Sequence, residues 1–284
     1  MNIEALTHEA IGLLEQMVAR PSVSRNEKEA ADLLEHFMTG HHMLPLRIGH
    51  NLVCFSPLNR KGRPTLLLNA HIDTVKPAAS WTRDPFRATR EGDRIYGLGT
   101  NDDGASVVSL LQVFRILSHK EQPYNLIFVA SCEEEVSGKN GIESVLPLLP
   151  QVDVALVGEP TGMRPAIAEK GLMVLDVTAH GKSGHAARNE GENAIYKALK
   201  DIEWFRNYRF EKTSPLLGDV KMSVTVINAG TQHNVVPDRC TFTVDVRSNE
   251  NYSNEEIYRT VCAHTDSEIK ARSFRLNSSR IDEN

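Results

Sequence analysis

The chain has 284 residues, and its 32 Lys and Arg against 37 Asp and Glu give a net charge of −5 with His neutral. A nucleic-acid-binding protein usually carries a basic excess clustered on one face, and this sequence has none, so we expect no nucleic-acid partner. Apolar residues make up 40% of the chain, which is enough to build a core. The length predicts roughly two domains.

Neither a membrane segment nor a secretory signal is expected. No apolar run approaches the roughly 20 residues of a membrane helix, and the amphipathic N-terminus carries Glu instead of an apolar signal core.

Four scattered cysteines form no CxxC pair, which favours reduced, mostly buried thiols in a cytoplasmic protein over a zinc site or a disulfide framework. These cysteines are Cys54, Cys132, Cys240 and Cys262.

The first 160 residues alternate between helices and strands. The apolar pattern predicts helices at 3–19, 26–37 and 104–117, and strands at 52–55, 65–71, 125–132 and 152–157. Continuous apolar runs in the later strands are typical of strands buried on both faces. This order therefore predicts an α/β fold with a mostly parallel sheet.

The pattern changes after about residue 164. Strands are predicted at 171–180, 220–228, 240–247 and 268–274, and helices at 193–207 and 254–265. The order β-α-β-β-α-β indicates a ferredoxin-like α+β domain, and its alternating strands predict one exposed sheet face. We assign residues 1–165 and 276–284 to the first domain, with residues 166–275 forming the inserted small domain.

Polar residues follow the predicted strands of the first domain, and ligands bind at the carboxyl ends of strands in open α/β sheets. The segment NAHIDTV, 69–75, ends a strand with His71 and Asp73 on one face. One interpretation is a metal-binding His71 oriented by Asp73, and the other is a capping residue beside a core histidine.

Three further segments are acidic. GLGTNDDGAS, 97–106, lacks the spacing of known phosphate loops, and its two Asp residues would repel an anion but suit a cation. SCEEEVSG, 131–138, places three Glu at a strand end, where like charges are costly unless a cation or a proton relieves them. VGEPTG adds Glu159. A capped turn, a solvated loop and an exposed loop acid are the respective alternatives.

Taken together, one histidine and several carboxylates at one sheet edge predict a cation site. Such ligands suit zinc, manganese or cobalt better than calcium. A shared carboxylate would allow two ions about 3.5–4 Å apart.

Seven motifs then follow one another in the order of a known family. They are RPSVS, NAHIDTV, GLGTNDDG, CEEEVSG, VGEPTG, GKSGHAA and HNVVPD. From about residue 10 onward, the chain resembles the zinc-dependent aminoacylase/carboxypeptidase family of acetylornithine deacetylase and succinyl-diaminopimelate desuccinylase, and is most similar to the acetylornithine deacetylase type. The resemblance implies a mostly parallel-sheet catalytic domain with an inserted ferredoxin-like dimerisation or lid domain. It also implies two zinc ions per site, with cobalt or manganese as substitutes.

The resemblance assigns the first metal site by position. His71 would bind the first metal with Asp73 behind it, and Glu159 would complete this site. Asp102 would bridge both metals, and its peptide bond to Asp103 would be cis.

The acidic triplet supplies the next two roles. Glu134 would be the general base and Glu135 a ligand of the second metal. The three consecutive Glu leave the register ambiguous by one residue. We align on the Glu-Glu-Val segment, which gives Glu133 the preceding acidic position.

The substrate-binding residues would come from the small domain. His185, in GKSGHAA, would reach across a homodimer interface formed by this domain to the substrate carbonyl in the partner's site. Asn234, in HNVVPD, resembles a second such residue. Arg188, Arg247 and Arg280 are candidates for holding a substrate carboxylate, with surface arginines as the alternative interpretation.

The implied function is hydrolysis of the amide bond of a small N-acyl amino acid, such as an N-acetyl- or N-succinyl-ornithine-like compound, in amino-acid (arginine) biosynthesis. The alternatives are a dipeptidase or carboxypeptidase on the same scaffold, or a non-catalytic dimerising relative.

Family members are longer, and their catalytic domain resumes after the small domain to supply a last histidine. No histidine follows His264 here, so we expect a truncated chain, an exposed apolar sheet edge and poor occupancy of the second metal site.

Overall fold

A computed structural model describes residues 2–279, which fold into two compact units divided between Met163 and Arg164. The first unit contains three main helices around a five-stranded sheet. Its elements are α1 Ile3–Val18, α2 Lys28–Gly40, β1 Leu46–Ile48, β2 Asn51–Phe55, β3 Thr65–His71, β4 Thr89–Glu91, β5 Arg94–Tyr96, α3 Ala105–Leu117, β6 Asn125–Ser131, α4 Ile142–Val145 and β7 Val154–Val157.

The strand order of this sheet is β1-β2-β6-β3-β7. Strands β6, β3 and β7 are mutually parallel, while β2 is antiparallel to both of its neighbours. Four of the five strands therefore run in one direction, which confirms the predicted mostly parallel sheet.

The central strands β3 and β6 contain continuous apolar runs, and each of their two faces packs against a separate hydrophobic core. Leu68 and Phe128 lie in the core shared with helices α1, α2 and α3. Leu67 and Ile127, one residue away on the same strands, lie in the core on the opposite face. Because successive side chains of a strand alternate between faces, both faces of β3 and β6 are covered, as their apolar runs predicted.

The last strand of the first unit differs from its prediction. The pattern at 152–157 predicted a buried strand, and β7 does form there, but all four of its residues are exposed. Val154 is 61% and Leu156 52% exposed. The physical reason is the strand order, since β7 pairs only with β3 and lies at the edge of the sheet.

The second unit contains β8 Gly171–His180, β9 Gly184–His185, α5 Ala194–Asn207, β10 Lys221–Ala229, β11 Val235–Val236, β12 Arg239–Ser248, α6 Asn254–His264 and β13 Glu268–Ala271. Its main elements have the predicted β-α-β-β-α-β order, and the long strands form an antiparallel sheet of order β10-β12-β8-β13. Residues of β8 alternate between buried and partly exposed, so one sheet face packs under the two helices, as expected.

Residues 276–279, which were predicted to belong to the first domain, form backbone hydrogen bonds within the second unit. Leu172 N–H donates to the carbonyl of Leu276 at 2.8 Å, and Ser279 N–H donates to the carbonyl of Glu169 at 3.0 Å. These backbone hydrogen bonds attach the segment to the start of β8. The rest of the assigned stretch, 280–284, lies outside the described residues, and so does the candidate Arg280.

Two further predictions concern cysteines and membranes. All four cysteines are free thiols, three of them buried and Cys262 exposed, as predicted. Within residues 2–279, no helix combines the length and the apolar character that crossing a bilayer requires.

Candidate metal centre

His71 lies at the carboxyl end of β3, and its side chain is buried. Its Nδ1 is 3.0 Å from the backbone carbonyl oxygen of Asp73, an acceptor that favours the proton on Nδ1. Its Nε2 is 3.0 Å from Oδ1 of Asp102 and 4.0 Å from Oε2 of Glu134. The ring is therefore held so that Nε2 faces the acidic residues, as a metal-binding histidine requires.

Electrostatics at this point favour positive charge. Burial lowers the pKa of His71, but the nearby carboxylates of Asp73, Asp103 and Glu134 outweigh it and raise the pKa to about 10. The carboxylates around the ring therefore favour positive charge at His71.

The buried carboxylate of Asp73 faces the acidic turn. It accepts hydrogen bonds from Ser24 Oγ at 2.7 Å and from the backbone N–H groups of Glu134 and Glu135 at 3.0 and 3.1 Å. Burial raises the pKa of Asp73, but these hydrogen bonds and His71 hold it below its ordinary value. Asp73 therefore supports both the histidine and the turn.

The turn after Leu98 brings Asp102 to the histidine. The peptide bond between Asp102 and Asp103 is cis, as the resemblance implied. Gly99 has φ +75°, and a Cβ at this position would lie 2.6 Å from Cγ2 of Thr74, so the tight turn requires glycine. Asp103 is buried, and its Oδ2 accepts the backbone N–H of His71 at 3.1 Å.

The two oxygens of Asp103 differ in their surroundings. While Oδ2 is bonded to His71, Oδ1 is buried with no hydrogen-bond partner among the described residues. Burial raises the pKa of Asp103. A buried oxygen without a partner, beside the acidic residues, favours the binding of a cation here.

The acidic triplet divides after β6. Glu133 has φ +55°, is buried, and its Oε1 accepts a hydrogen bond from Nδ2 of Asn140 at 2.9 Å. The carboxylates of Glu134 and Glu135 instead lie near His71. The geometry thus separates one inward glutamate from two that face the histidine.

Glu159, just after β7, completes the acidic surroundings. Burial raises the pKa of Glu159 to about 7, helped by Glu134, Asp103 and Asp102 and opposed by His71. Burial likewise raises the pKa of Glu135.

Ligand atoms of five residues converge in two overlapping groups, each with its atoms within 4.8 Å of one another. We call these residues the His71 cluster. One group is His71, Glu134 and Glu159, and the other is His71, Asp102 and Glu135. The resemblance made Asp102 a bridge between both metals, with Glu159 at the first and Glu135 at the second. Here Asp102 groups with Glu135, and its Oδ1 lies 3.0 Å from His71 Nε2.

The cluster fits a divalent cation by its chemistry. One imidazole nitrogen with several carboxylates is a donor set suited to zinc, manganese or cobalt. Burial is the main cause of the raised pKa values of Glu135 and Glu159, and repulsion from the neighbouring carboxylates adds to it. A bound cation would relieve that repulsion.

The predicted substrate-binding residues lie in the second unit. His185 in β9 pairs with Val235 in β11, and Ala186 N–H donates to the carbonyl of Asn234 at 3.0 Å. The small hairpin-like sheet therefore brings His185 and Asn234 close together. His264 ends α6, where its ring stacks on Trp204 at 5.4 Å between centroids.

Two of the three arginine candidates lie among the described residues, and each of them faces a carboxylate. Arg247 makes two hydrogen bonds to the carboxylate of Asp245, at 2.8 and 3.1 Å. Arg188 lies 3.7 Å from Glu190 and is largely exposed.

Sequence reasoning missed the residues that support the acidic turn. Glu27 and Asn51 both accept backbone N–H groups at the end of β6. They lie 106 and 81 residues from their partners, and neither occurs in a motif that the sequence analysis interpreted. A buried polar contact at such separation leaves no local signal.

Comparison with known proteins shows which sequences and folds this chain resembles. A sequence model of peptidase family M20/M25/M40 matches residues 67–269. The chain is 29% identical over 259 residues to the acetylornithine deacetylase of Pectobacterium carotovorum subsp. carotovorum strain PC1, covering 84% of this chain and 67% of that protein. It is 28% identical over 266 residues to a succinyl-diaminopimelate desuccinylase of Cereibacter sphaeroides, covering 88% and 70%.

Solved structures show the same fold. Aminopeptidase PepT of Bacillus cereus aligns with a TM-score of 0.73 at 19% identity, covering 100% of this chain and 79% of that one. The YXEP protein of Bacillus subtilis, described as a dinuclear metal-binding peptidase, aligns with a TM-score of 0.71 at 17% identity, covering 99% and 77%. The extent of the family match, over most of both units, shows that the chain belongs to peptidase family M20/M25/M40.

Proposed function

We propose that this protein is a zinc-dependent amidohydrolase that removes the acyl group from an N-acyl amino acid, such as an N-acetyl- or N-succinyl-ornithine-like compound. Membership of a family of metal-dependent hydrolases supports the reaction type. The observation that carries the proposal is the convergence of His71 with four carboxylates at the carboxyl edge of the sheet. The names of the similar curated proteins, a deacetylase and a desuccinylase, support acyl removal.

Four residues of the His71 cluster would hold the metal. They are His71, Asp102, Glu135 and Glu159. When bound, a divalent cation would lower the pKa of a water molecule and polarise the amide carbonyl of the substrate.

Glu134 would act as the general base. Its carboxylate lies in the cluster, with Oε2 4.0 Å from His71 Nε2, and Asp73 holds its backbone N–H. There it would take a proton from the attacking water and deliver it to the leaving amine. Asp73 would act by keeping the ring of His71 and the Glu134 turn in place.

We further propose a homodimer formed through the second unit, residues 166–275. Strand β10 is at a sheet edge, and Val226 and Ile227 are about half exposed there, at 50% and 51%. A free edge with apolar side chains is suited to pairing with another copy. His185, which is exposed, and Asn234 would then contact the substrate carbonyl in the partner's site and stabilise the developing oxyanion.

Arg247 is the proposed partner of the substrate carboxylate. Its guanidinium would have to exchange Asp245 for the substrate, because both of its bonds to that residue are already formed.

The dimer proposal predicts complementation between two inactive variants. Co-expression of Glu134→Gln with His185→Ala should restore about a quarter of wild-type activity, since half of the dimers are hybrids with one intact site each. The matched control pairs Glu134→Gln with His71→Ala, which damages the first unit in both copies and should restore none. Activity of the first mixture no higher than that of the control would contradict a shared site.

The substrate assignment is tested with a panel. A dipeptidase or carboxypeptidase would use the same cluster, because a peptide bond is also an amide. We expect kcat/KM for N-acetyl-ornithine or N-succinyl-diaminopimelate to exceed that for dipeptides by at least about tenfold, a difference of 1.4 kcal/mol in transition-state binding. Preference for dipeptides would overturn the acyl assignment and leave the metal assignment standing. No hydrolysis of any amide by the zinc-loaded chain would favour a non-catalytic relative.

A further inference from the structure

Glu27 is a fully buried carboxylate that the proposed mechanism does not use. It immediately precedes α2 in the first unit. Its Oε2 lies 2.8 Å from Nδ1 of His50, and its Oε1 accepts the backbone N–H groups of Arg25 and Glu133. Burying a carboxylate is costly unless such hydrogen bonds offset the loss of water, so these contacts indicate a specific role.

The backbone at residues 132–135 is held by side chains from three separate parts of the fold. Asn51 Oδ1 accepts the first of these four consecutive N–H groups at 2.9 Å. Glu27 Oε1 accepts the second at 3.2 Å. The two oxygens of Asp73 accept the third and fourth at 3.0 and 3.1 Å. Glu27 therefore accepts the N–H of Glu133, which lies between the N–H groups bound by Asn51 and by Asp73.

The residue that Glu27 holds has an unfavourable backbone conformation. Glu133 has φ +55°, in the left-handed region that residues other than glycine seldom adopt. A Cβ at Gly138 would lie 1.9 Å from Oε2 of Glu133, so the inward side chain is also closely packed. Such a conformation persists only where the surrounding structure enforces it. The left-handed turn is what separates the inward Glu133 from Glu134 and Glu135.

We propose that Glu27 is a positioning residue: by binding the N–H of Glu133 it fixes the left-handed turn and so aims the carboxylates of Glu134 and Glu135 into the His71 cluster. The inference rests on the proposed function, in which Glu134 is the base and Glu135 a metal ligand. In this proposal, Glu27 holds the turn through an acceptor oxygen at a fixed distance from the N–H of Glu133, and its negative charge is not required.

This distinction determines the variants. Glu27→Gln keeps an amide oxygen in the place of Oε1, and its NH₂ group faces His50. Glu27→Asp keeps the charge but is one methylene shorter and cannot reach Glu133 N–H. Glu27→Met has similar length and no acceptor oxygen. We expect Asp and Met to lower cobalt(II) affinity and kcat by about 10- to 100-fold, with KM changed less than about twofold, while Gln stays near wild type.

Two readouts do not depend on the substrate. Hydrogen exchange in the metal-free chain reports the protection of the amides of residues 132–135. Cobalt(II) titration followed by visible absorption reports the cluster itself. The matched control is Asn59→Ala, because Asn59 bonds both backbone groups of Leu126, at 3.0 and 2.8 Å, at the opposite end of β6. This control should lower the Tm and leave both readouts unchanged.

The proposal is supported if Asp and Met increase exchange at 132–135 and weaken cobalt binding while Gln does neither. It is overturned if Asp and Met behave like Asn59→Ala, or if Gln is as damaging as Met, which would make charge the important property. Either of the two damaging variants suffices if the other fails to fold. Absence of amide hydrolysis by the wild type would count against the proposed function alone, since exchange and cobalt affinity still measure the role of Glu27.

Discussion

Replacement of Glu134 by Gln is expected to lower kcat by about 10²- to 10⁴-fold while the zinc content stays unchanged. Gln has the same shape but cannot take a proton from water at neutral pH. The backbone of residue 134 would stay in place, because the N–H that donates to Asp73 is not altered. The measurement is kcat for N-acetyl-ornithine hydrolysis together with elemental analysis of the same samples.

Zinc content must be measured because the position of Glu134 would also allow it to bind the metal. Its carboxylate groups with His71 and Glu159, so it could serve as a ligand. Loss of zinc together with activity would assign Glu134 to the metal, and unchanged turnover would exclude it as the base. Glu133→Gln is the matched control, since Glu133 binds Asn140. A large loss of kcat in this control instead would mean that the register of the three glutamates is shifted by one.

Replacement of His71 by Ala should lower zinc affinity by more than about 100-fold, beyond the range typical of residues that only support a ligand. His71 is the one residue common to both groups of the cluster, and it supplies their nitrogen ligand. Its loss would leave carboxylates alone, a set that suits harder cations. The matched control is His180→Ala, because His180 is exposed and pairs with Glu268 at 2.9 Å.

Local apolar patterns predicted most of the elements. Helix α1 was expected at 3–19 and spans Ile3–Val18, and α3 was expected at 104–117 and spans Ala105–Leu117. Five of the six elements of the ferredoxin-like unit agree with their predicted ranges within one residue at each end, whereas β13, expected at 268–274, ends at Ala271. These segments are long enough to show a helical or alternating period, and that period is a property of neighbouring residues.

Short strands and edge positions were not predictable in this way. Strands β1, β4 and β5 have three residues each, which is too few to show a period. The exposure of β7 follows from its place at the sheet edge, and no feature of its own apolar residues indicates that place. Helix α2 begins at Lys28 and extends to Gly40, beyond the expected 26–37.

Part of the candidate site could be predicted from the sequence, because several of its residues lie at the ends of predicted strands. His71 ends β3 and the acidic triplet follows β6, and because these parallel strands are hydrogen-bonded neighbours, the sheet brings the residues together. The resemblance also implied that Asp102 and Glu135 share a metal, and the two residues belong to one group here. The support from Glu27 depends on a contact across 106 residues, which leaves no pattern in the sequence near the residues concerned.

The most direct test of the account is calorimetric zinc titration of the metal-free wild type, His71→Ala and His180→Ala. We predict tight binding of at least one zinc ion per chain in the wild type and in His180→Ala, and its loss in His71→Ala. Absence of binding in the wild type, or equal binding in His71→Ala, would contradict the claim that the His71 cluster is a metal centre.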